Sequence, residues 1–270
     1  KIMAMKKICL NLMMLLVAVS AMGQSAARTF TLNLTKDGAS ALTCYLPKNP
    51  TGRAIVCCPG GGYEFVNIDY EGNNWAPFFN NKGIAVFVLK YRLPHGDRSL
   101  PIGDAEKAMK LVRDSAAQWN IKTSEVGIMG SSAGGHLAST LCTHSKDGIR
   151  PDFAILFYPV ITMGKGCHEG SRNALLGKDV SNPTVIMKYS NETQVKKGIT
   201  PATLILVSTD DELVPPVENS IAYYEAMLKA GNSCTLFAYP RGAHGLFKMS
   251  VSEHNQMLSD ISNWLDNLQK

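Results

Sequence analysis

Between residues 54 and 239 the chain keeps returning to a short, almost wholly apolar run. The runs are AIVCC (Ala54–Cys58), IAVFVL (Ile84–Leu89), VGIM (Val126–Met129), FAILFY (Phe153–Tyr158), TLILVS (Thr203–Ser208) and CTLFAY (Cys234–Tyr239). Runs of this length with no polar face suit strands buried on both sides. Between several of them the apolar residues recur at helical spacing. Asp104 to Trp119 sets Ala105, Ala108, Met109, Val112 and Ala116 on one face, and Ala133–Leu141, Val217–Ala230 and Val251–Leu268 read the same way. Ahead of them, Thr29–Leu34 and Ala41–Leu46 alternate apolar with polar residues. Such alternation marks half-exposed antiparallel strands at a sheet edge. The whole pattern predicts an α/β fold, a mainly parallel central sheet with helices on both faces.

The first residues follow a different rule. Lys6 and Lys7 precede the apolar run Ile8–Val19, and the small residues Ala21 and Gly23 stand before Gln24. This layout predicts a secretory signal peptide over residues 1–23. The run is shorter than the roughly 20 residues a membrane-spanning helix needs. Residues 24–270 then read as one domain of a secreted or periplasmic protein, without stable membrane association. Losing Lys1, Lys6 and Lys7 takes the formal charge from +5 to +2, which gives no footing for nucleic acid or an anionic membrane. With 45% hydrophobic residues the domain has enough apolar material for one sizeable core. The cysteines left, Cys44, Cys57, Cys58, Cys142, Cys167 and Cys234, show no metal-site spacing and are expected in the core.

In a parallel sheet ligands bind beyond the carboxyl ends of the strands, so the residues after each run hold the chemistry. After Val126–Met129 comes Gly130-Ser131-Ser132-Ala133-Gly134, a G-x-S-x-G between a buried strand and an Ala-rich helix. That context presents the Ser132 hydroxyl at the amino end of a helix, as a nucleophile requires. A serine needs a base to remove its proton. His244 stands on a glycine-flanked loop between the last strand and the last helix, a combination no other histidine has. His136, one helical turn beyond Ser132, is expected beneath the turn as a hydrogen-bonded core residue. The base needs a carboxylate, and Asp210 and Asp211 both follow Thr203–Ser208. Neighbouring residues leaving a strand point in different directions, so one of the two reaches His244. The order Ser, acid, His is that of the α/β-hydrolase sheet. After Ala54–Cys58 comes PGGGY (Pro59–Tyr63), where the N–H groups of Gly61 and Gly62 join that of Ala133 as an oxyanion hole.

With these residues in place, the chain resembles the small secreted α/β-hydrolase esterases of bacterial plant-polysaccharide degraders, the acetylxylan-esterase and feruloyl-esterase-like group. The matching landmarks are PGGGY, EGNNWAPFFNNKGIAVFVLKYRLP (Glu71–Pro94), GIMGSSAGGHLAS (Gly127–Ser139), RPDFAILFYPV (Arg150–Val160), LVSTDDELVPPVENS (Leu206–Ser220) and GAHG. The resemblance implies a serine carboxylesterase, with neither metal nor cofactor, acting on short-chain esters. Its substrate would be a small ester or an acylated saccharide such as acetylated xylan. In that group the acid stands in a D-x-x-V-P frame, which Asp211 fits and Asp210 misses by one residue. Pro59 departs from the wider lipase and esterase pattern, where histidine commonly precedes the glycines, so the support of this loop does not follow from the resemblance. The segment 164–198 has no long apolar helix and reads as a short, partly irregular excursion over the carboxyl edge, with no large lid, which favours short acyl chains. Tyr63 and Tyr158 are expected beside an open groove as substrate contacts. Two other functions fit the same fold: a serine peptidase and a non-catalytic carbohydrate-binding relative. The second would be expected to have lost one of the four parts.

Overall fold

The computed structural model describes residues 27–268, so the predicted signal peptide lies outside the described residues. Eight strands form one sheet: β1 (Arg28–Asn33), β2 (Ala41–Leu46), β3 (Ala54–Cys58), β4 (Ala85–Lys90), β5 (Val126–Ser131), β6 (Phe153–Phe157), β7 (Ala202–Ser208) and β8 (Cys234–Tyr239). Their order is β1-β2-β4-β3-β5-β6-β7-β8. Strand β2 runs antiparallel to both β1 and β4, and the remaining pairs are parallel. The helices are α1 (Ala76–Asn80), α2 (Ser99–Asp114), α3 (Ala116–Trp119), α4 (Ser132–His144), α5 (Glu169–Leu176), α6 (Pro183–Tyr189), α7 (Ala222–Lys229) and α8 (Val251–Asp266). This is the α/β-hydrolase fold, with a mixed edge where the alternating sequence predicted one.

Two apolar layers hold it together. Along β3 the side chains alternate: Val56 and Cys58 join Ala108, Met109 and Leu137 on one face, while Ile55 and Cys57 join Phe79, Met257 and Ile261 on the other. Each fully buried Leu, Ile, Phe or Met contributes about 1.5–3 kcal/mol relative to an exposed one. From β3 the chain steps outward to β4, then returns past β3 to β5. At such a reversal the loops leaving two adjacent strands part, and a crevice opens at their carboxyl ends. The glycine run after β3 and Ser132 after β5 stand at that point.

Four details differ from the sequence pattern. Helix α2 begins at Ser99 instead of Asp104, because Asp104 is a buried interior residue held by the Arg92 guanidinium at 2.6 Å. The same helix stops at Asp114, and α3 is a separate turn ended by Asn120 at φ +54°. The segment after β7 opens as a wide π turn, Val217–Ile221, before α7. Strand β8 is half-buried where two buried faces were expected, since it pairs with β7 alone at the sheet edge. Of the cysteines, Cys44, Cys57, Cys58 and Cys142 are core residues, whereas Cys167 and Cys234 are partly exposed.

Candidate active site

Ser132 is the first residue of α4, at φ +52°, in a region that non-glycine residues rarely adopt. The turn closes only because its flanking residues have no side chains. A Cβ on Gly134 would lie 2.0 Å from the carbonyl oxygen of Cys58 in β3, and one on Gly130 would lie 2.2 Å from that of Gly134. The elbow therefore packs directly on the neighbouring strand, and residues 132–143 of α4 are all buried.

The candidate base arrives from the far edge of the sheet. After β8 the backbone turns through Ala243 at φ +50° and Gly245 at φ +89°, with His244 between them. His244 Nε2 lies 2.9 Å from Ser132 Oγ, and Nδ1 lies 2.8 Å from Asp211 Oδ2. With a carboxylate at Nδ1, that nitrogen carries the proton and Nε2 is left to accept from the serine. Asp211 is 3% exposed. Its second oxygen accepts the N–H groups of Leu213 at 3.0 Å and Val214 at 2.9 Å, so the carboxylate is fully hydrogen-bonded. Asp210 points elsewhere. Its Oδ1 accepts the Ala243 N–H at 2.7 Å, a bond that holds its pKa below the ordinary value and shapes the loop before His244.

The glycine loop is tied at its base and free at its tip. Tyr91 donates its hydroxyl to the Pro59 carbonyl at 2.7 Å, and the Asn67 N–H donates to the Gly60 carbonyl at 2.9 Å. Glu71 Oε2 accepts the Gly60 N–H at 2.9 Å. The N–H groups of Gly61, Gly62 and Ala133 have no acceptor among the described residues. Free donors are what a developing oxyanion needs.

The two tyrosines expected beside a groove are both buried. Tyr63, at φ +61°, turns inward and is 1% exposed. It donates its hydroxyl to His136 Nδ1 at 3.0 Å, and His136 Nε2 donates to the Tyr189 carbonyl at 2.8 Å. The left-handed backbone that follows the glycines sends this ring into the core, so Tyr63 lines no groove. Burial pushes His136 down to about 4, which keeps it a neutral core residue. The Tyr158 hydroxyl is taken by Glu71 Oε1 at 2.8 Å, while its ring meets the His244 ring edge-on at a centroid distance of 4.9 Å. Tyr158 also borders a pocket of about 370 Å³ lined by Trp75, Phe78, Phe157, Leu246 and Met257.

Two neighbours of these three side chains were not picked out as site residues by the sequence pattern. Glu71 lies in an irregular loop, and only the fold brings it under Gly60. His168 caps α5 and accepts the Ser171 N–H at 3.1 Å on Nδ1, which leaves the proton on Nε2. Nε2 has no partner among the described residues, and the ring faces Gly62: a Cβ there would meet only His168 Cε1, at 3.7 Å. Burial and the nearby His244 lower the His168 pKa, so the ring is neutral near pH 7.

Residues 42–227, which include the glycine loop, Ser132 and Asp211, match the family described as BD-FAE. The chain belongs to the BD-FAE family. His244 lies past the matched segment and is placed by the fold. This BD-FAE chain is 48% identical over 257 residues to an acetylxylan esterase of Xylanibacter ruminicola, the match covering 94% of this chain and 54% of that protein. It is 34% identical over 223 residues to endo-1,4-beta-xylanase B of Butyrivibrio fibrisolvens, covering 76% of this chain and 34% of that protein. The chain thus spans about half the length of the first relative and a third of the second. A crystal structure of an acetyl ester-xyloside bifunctional hydrolase from Caldicellulosiruptor lactoaceticus superposes with a TM-score of 0.78 at 29% identity, covering 90% of this chain and 97% of that one.

Proposed function

We propose that this chain is a serine carboxylesterase that removes acetyl groups from xylan or its oligosaccharides. The observation that carries the reading is the unbroken relay of Ser132, His244 and Asp211, together with the N–H groups of Gly61, Gly62 and Ala133 that have no acceptor among the described residues. Ser132 Oγ attacks the ester carbonyl as its proton passes to His244 Nε2. Asp211 stabilises the imidazolium so formed, and the N–H groups of Gly61, Gly62 and Ala133 hold the oxyanion. Collapse of the tetrahedral intermediate breaks the bond to the sugar oxygen, which takes the proton from His244 and leaves as a hydroxyl. Water then attacks the acetyl-serine with His244 as base, and acetate leaves.

The acetyl and xylan parts of the reading rest on two relatives: the acetylxylan esterase of Xylanibacter ruminicola and the acetyl ester-xyloside hydrolase of Caldicellulosiruptor lactoaceticus. Such a substrate lies outside the cell, which agrees with the exported domain read from the first residues. A feruloyl ester is a second reading, favoured by the aromatic-walled pocket beyond Tyr158. Initial rates on acetylated xylan, feruloylated arabinoxylan and simple acetylated sugars separate these. Release of acetate from the xylan as the fastest reaction is expected. A faster release of ferulate would move the substrate to the second reading, and activity on none of them would overturn the esterase.

A further inference from the structure

Glu71 is a carboxylate 5% exposed, buried where no step of the proposed reaction uses it. Its two oxygens hold two different parts of the site. Oε2 accepts the Gly60 N–H at 2.9 Å, and Oε1 accepts the Tyr158 hydroxyl at 2.8 Å. Gly60 leads into the two residues whose N–H groups stand free, and Tyr158 lies against the ring of His244. Gly60 is itself wedged in place. A Cβ there would meet Glu71 Oε2 at 2.7 Å, the Ser131 carbonyl oxygen at 2.8 Å and Ser132 Cβ at 3.0 Å. The loop therefore touches the nucleophile on one side and Glu71 on the other.

We infer that Glu71 is a positioning residue for the reaction, fixing the oxyanion loop against Ser132 and the Tyr158 ring against His244 at the same time. The inference rests on the esterase reading above. It also supplies what the sequence leaves open at Pro59, the support of a loop that lacks the histidine common before such glycines. Bound in this way, the loop presents its free N–H groups without reorganising when charge develops on the substrate.

The same burial has a thermodynamic signature. Desolvation raises the Glu71 pKa, opposed by its hydrogen bonds to Tyr158 and Gly60 and by His244. The ionisable groups facing it are Cys57 of β3, Tyr91 after β4, Tyr158 after β6, His244 after β8 and Tyr70 beside it. A pKa raised on folding favours the folded state below the ordinary carboxylate value, and that advantage is lost as pH rises through the folded value. Burial of this carboxylate thus works against stability as pH rises, and the residue is nonetheless retained beside the site.

The test is a set of three variants, each measured for kcat and KM on 4-nitrophenyl acetate and for Tm. Glu71→Gln keeps an acceptor for the Gly60 N–H and offers Tyr158 an amide N–H. It is expected to hold kcat within about tenfold, with a Tm at neutral pH no lower than that of the natural protein. Glu71→Asp is one methylene too short to reach both partners. It should lose about a hundredfold in kcat with KM little changed, on the scale of a lost oxyanion donor. Glu71→Ala should lose as much. If the alanine protein does not fold, the contrast between the Gln and Asp proteins decides. Asp and Ala proteins with kcat within threefold of natural would overturn the inference. So would a Gln protein as poor as the Asp protein, or losses that follow Tm instead of kcat. Natural protein that releases no 4-nitrophenol under any condition would remove the esterase reading first, and this inference with it.

Discussion

Ser132 and His244, the proposed nucleophile and base, reach the same point by different physics. Ser132 sits at the end of a central strand, on a turn where glycines press against the carbonyl oxygens of Cys58 and Gly134, and everything around it is buried. His244 sits past an edge strand that is only half-buried, on a loop where Ala243 and His244 are partly exposed between the buried Gly242 and Gly245. Steric contact fixes the serine. Hydrogen bonds fix the histidine: Asp211 on its ring, Asp210 on Ala243, and the Ser208 hydroxyl on the Ala243 carbonyl at 2.7 Å. A position fixed by close packing tolerates no added atom, whereas one fixed by several hydrogen bonds loses function in steps.

The largest effect is on the packed side. Ser132→Ala removes one hydroxyl and leaves the turn intact, and it should lower turnover on the order of a million-fold. Kinetics on 4-nitrophenyl acetate at matched Tm measure this, and retention of more than a few per cent of activity would remove Ser132 from its role. On the hydrogen-bonded side, Asp211→Asn keeps size but loses the charge that stabilises the imidazolium. A loss between roughly a hundredfold and ten-thousandfold in kcat is expected. Asp210→Asn keeps an acceptor for the Ala243 N–H and should cost far less, a few-fold at most. The reverse ranking, on equally folded proteins, would give the acid's role to Asp210.

The smallest effect concerns substrate shape. The free Nε2–H of His168 beside Gly62 suits a sugar hydroxyl. His168→Ala should raise KM several-fold for an acetylated xylo-oligosaccharide and leave 4-nitrophenyl acetate unchanged. Equal changes on both substrates would place His168 in loop structure alone.

The central strands, the serine elbow and the histidine loop were legible in the sequence because each depends on local rules. A doubly buried strand shows as an apolar run, and a crowded turn shows as glycine. Asp210 and Asp211 could be told apart only through the D-x-x-V-P frame of the resembling group, since local chemistry makes them alike. Tyr63 was misplaced because no periodicity reports which way a side chain turns at positive φ. Strand β8 looked doubly buried because composition does not tell a strand its rank in the sheet. The place of Glu71 and His168 at the site was not readable for a related reason. Their partners lie in loops that follow distant strands: Gly60 and Tyr158 for one, Gly62 for the other.

The most direct test of the central claim is covalent titration of Ser132, the proposed nucleophile. Protein treated with diethyl 4-nitrophenyl phosphate is digested, and the modified residue is located by mass spectrometry while esterase activity is followed in parallel. One phosphoryl group per chain on Ser132 is expected, with activity lost in proportion, labelling abolished in Asp211→Asn within the same time, and protection by acetylated xylo-oligosaccharide. Loss of activity with Ser132 unmodified, or a label on another residue that tracks that loss, would contradict the assignment.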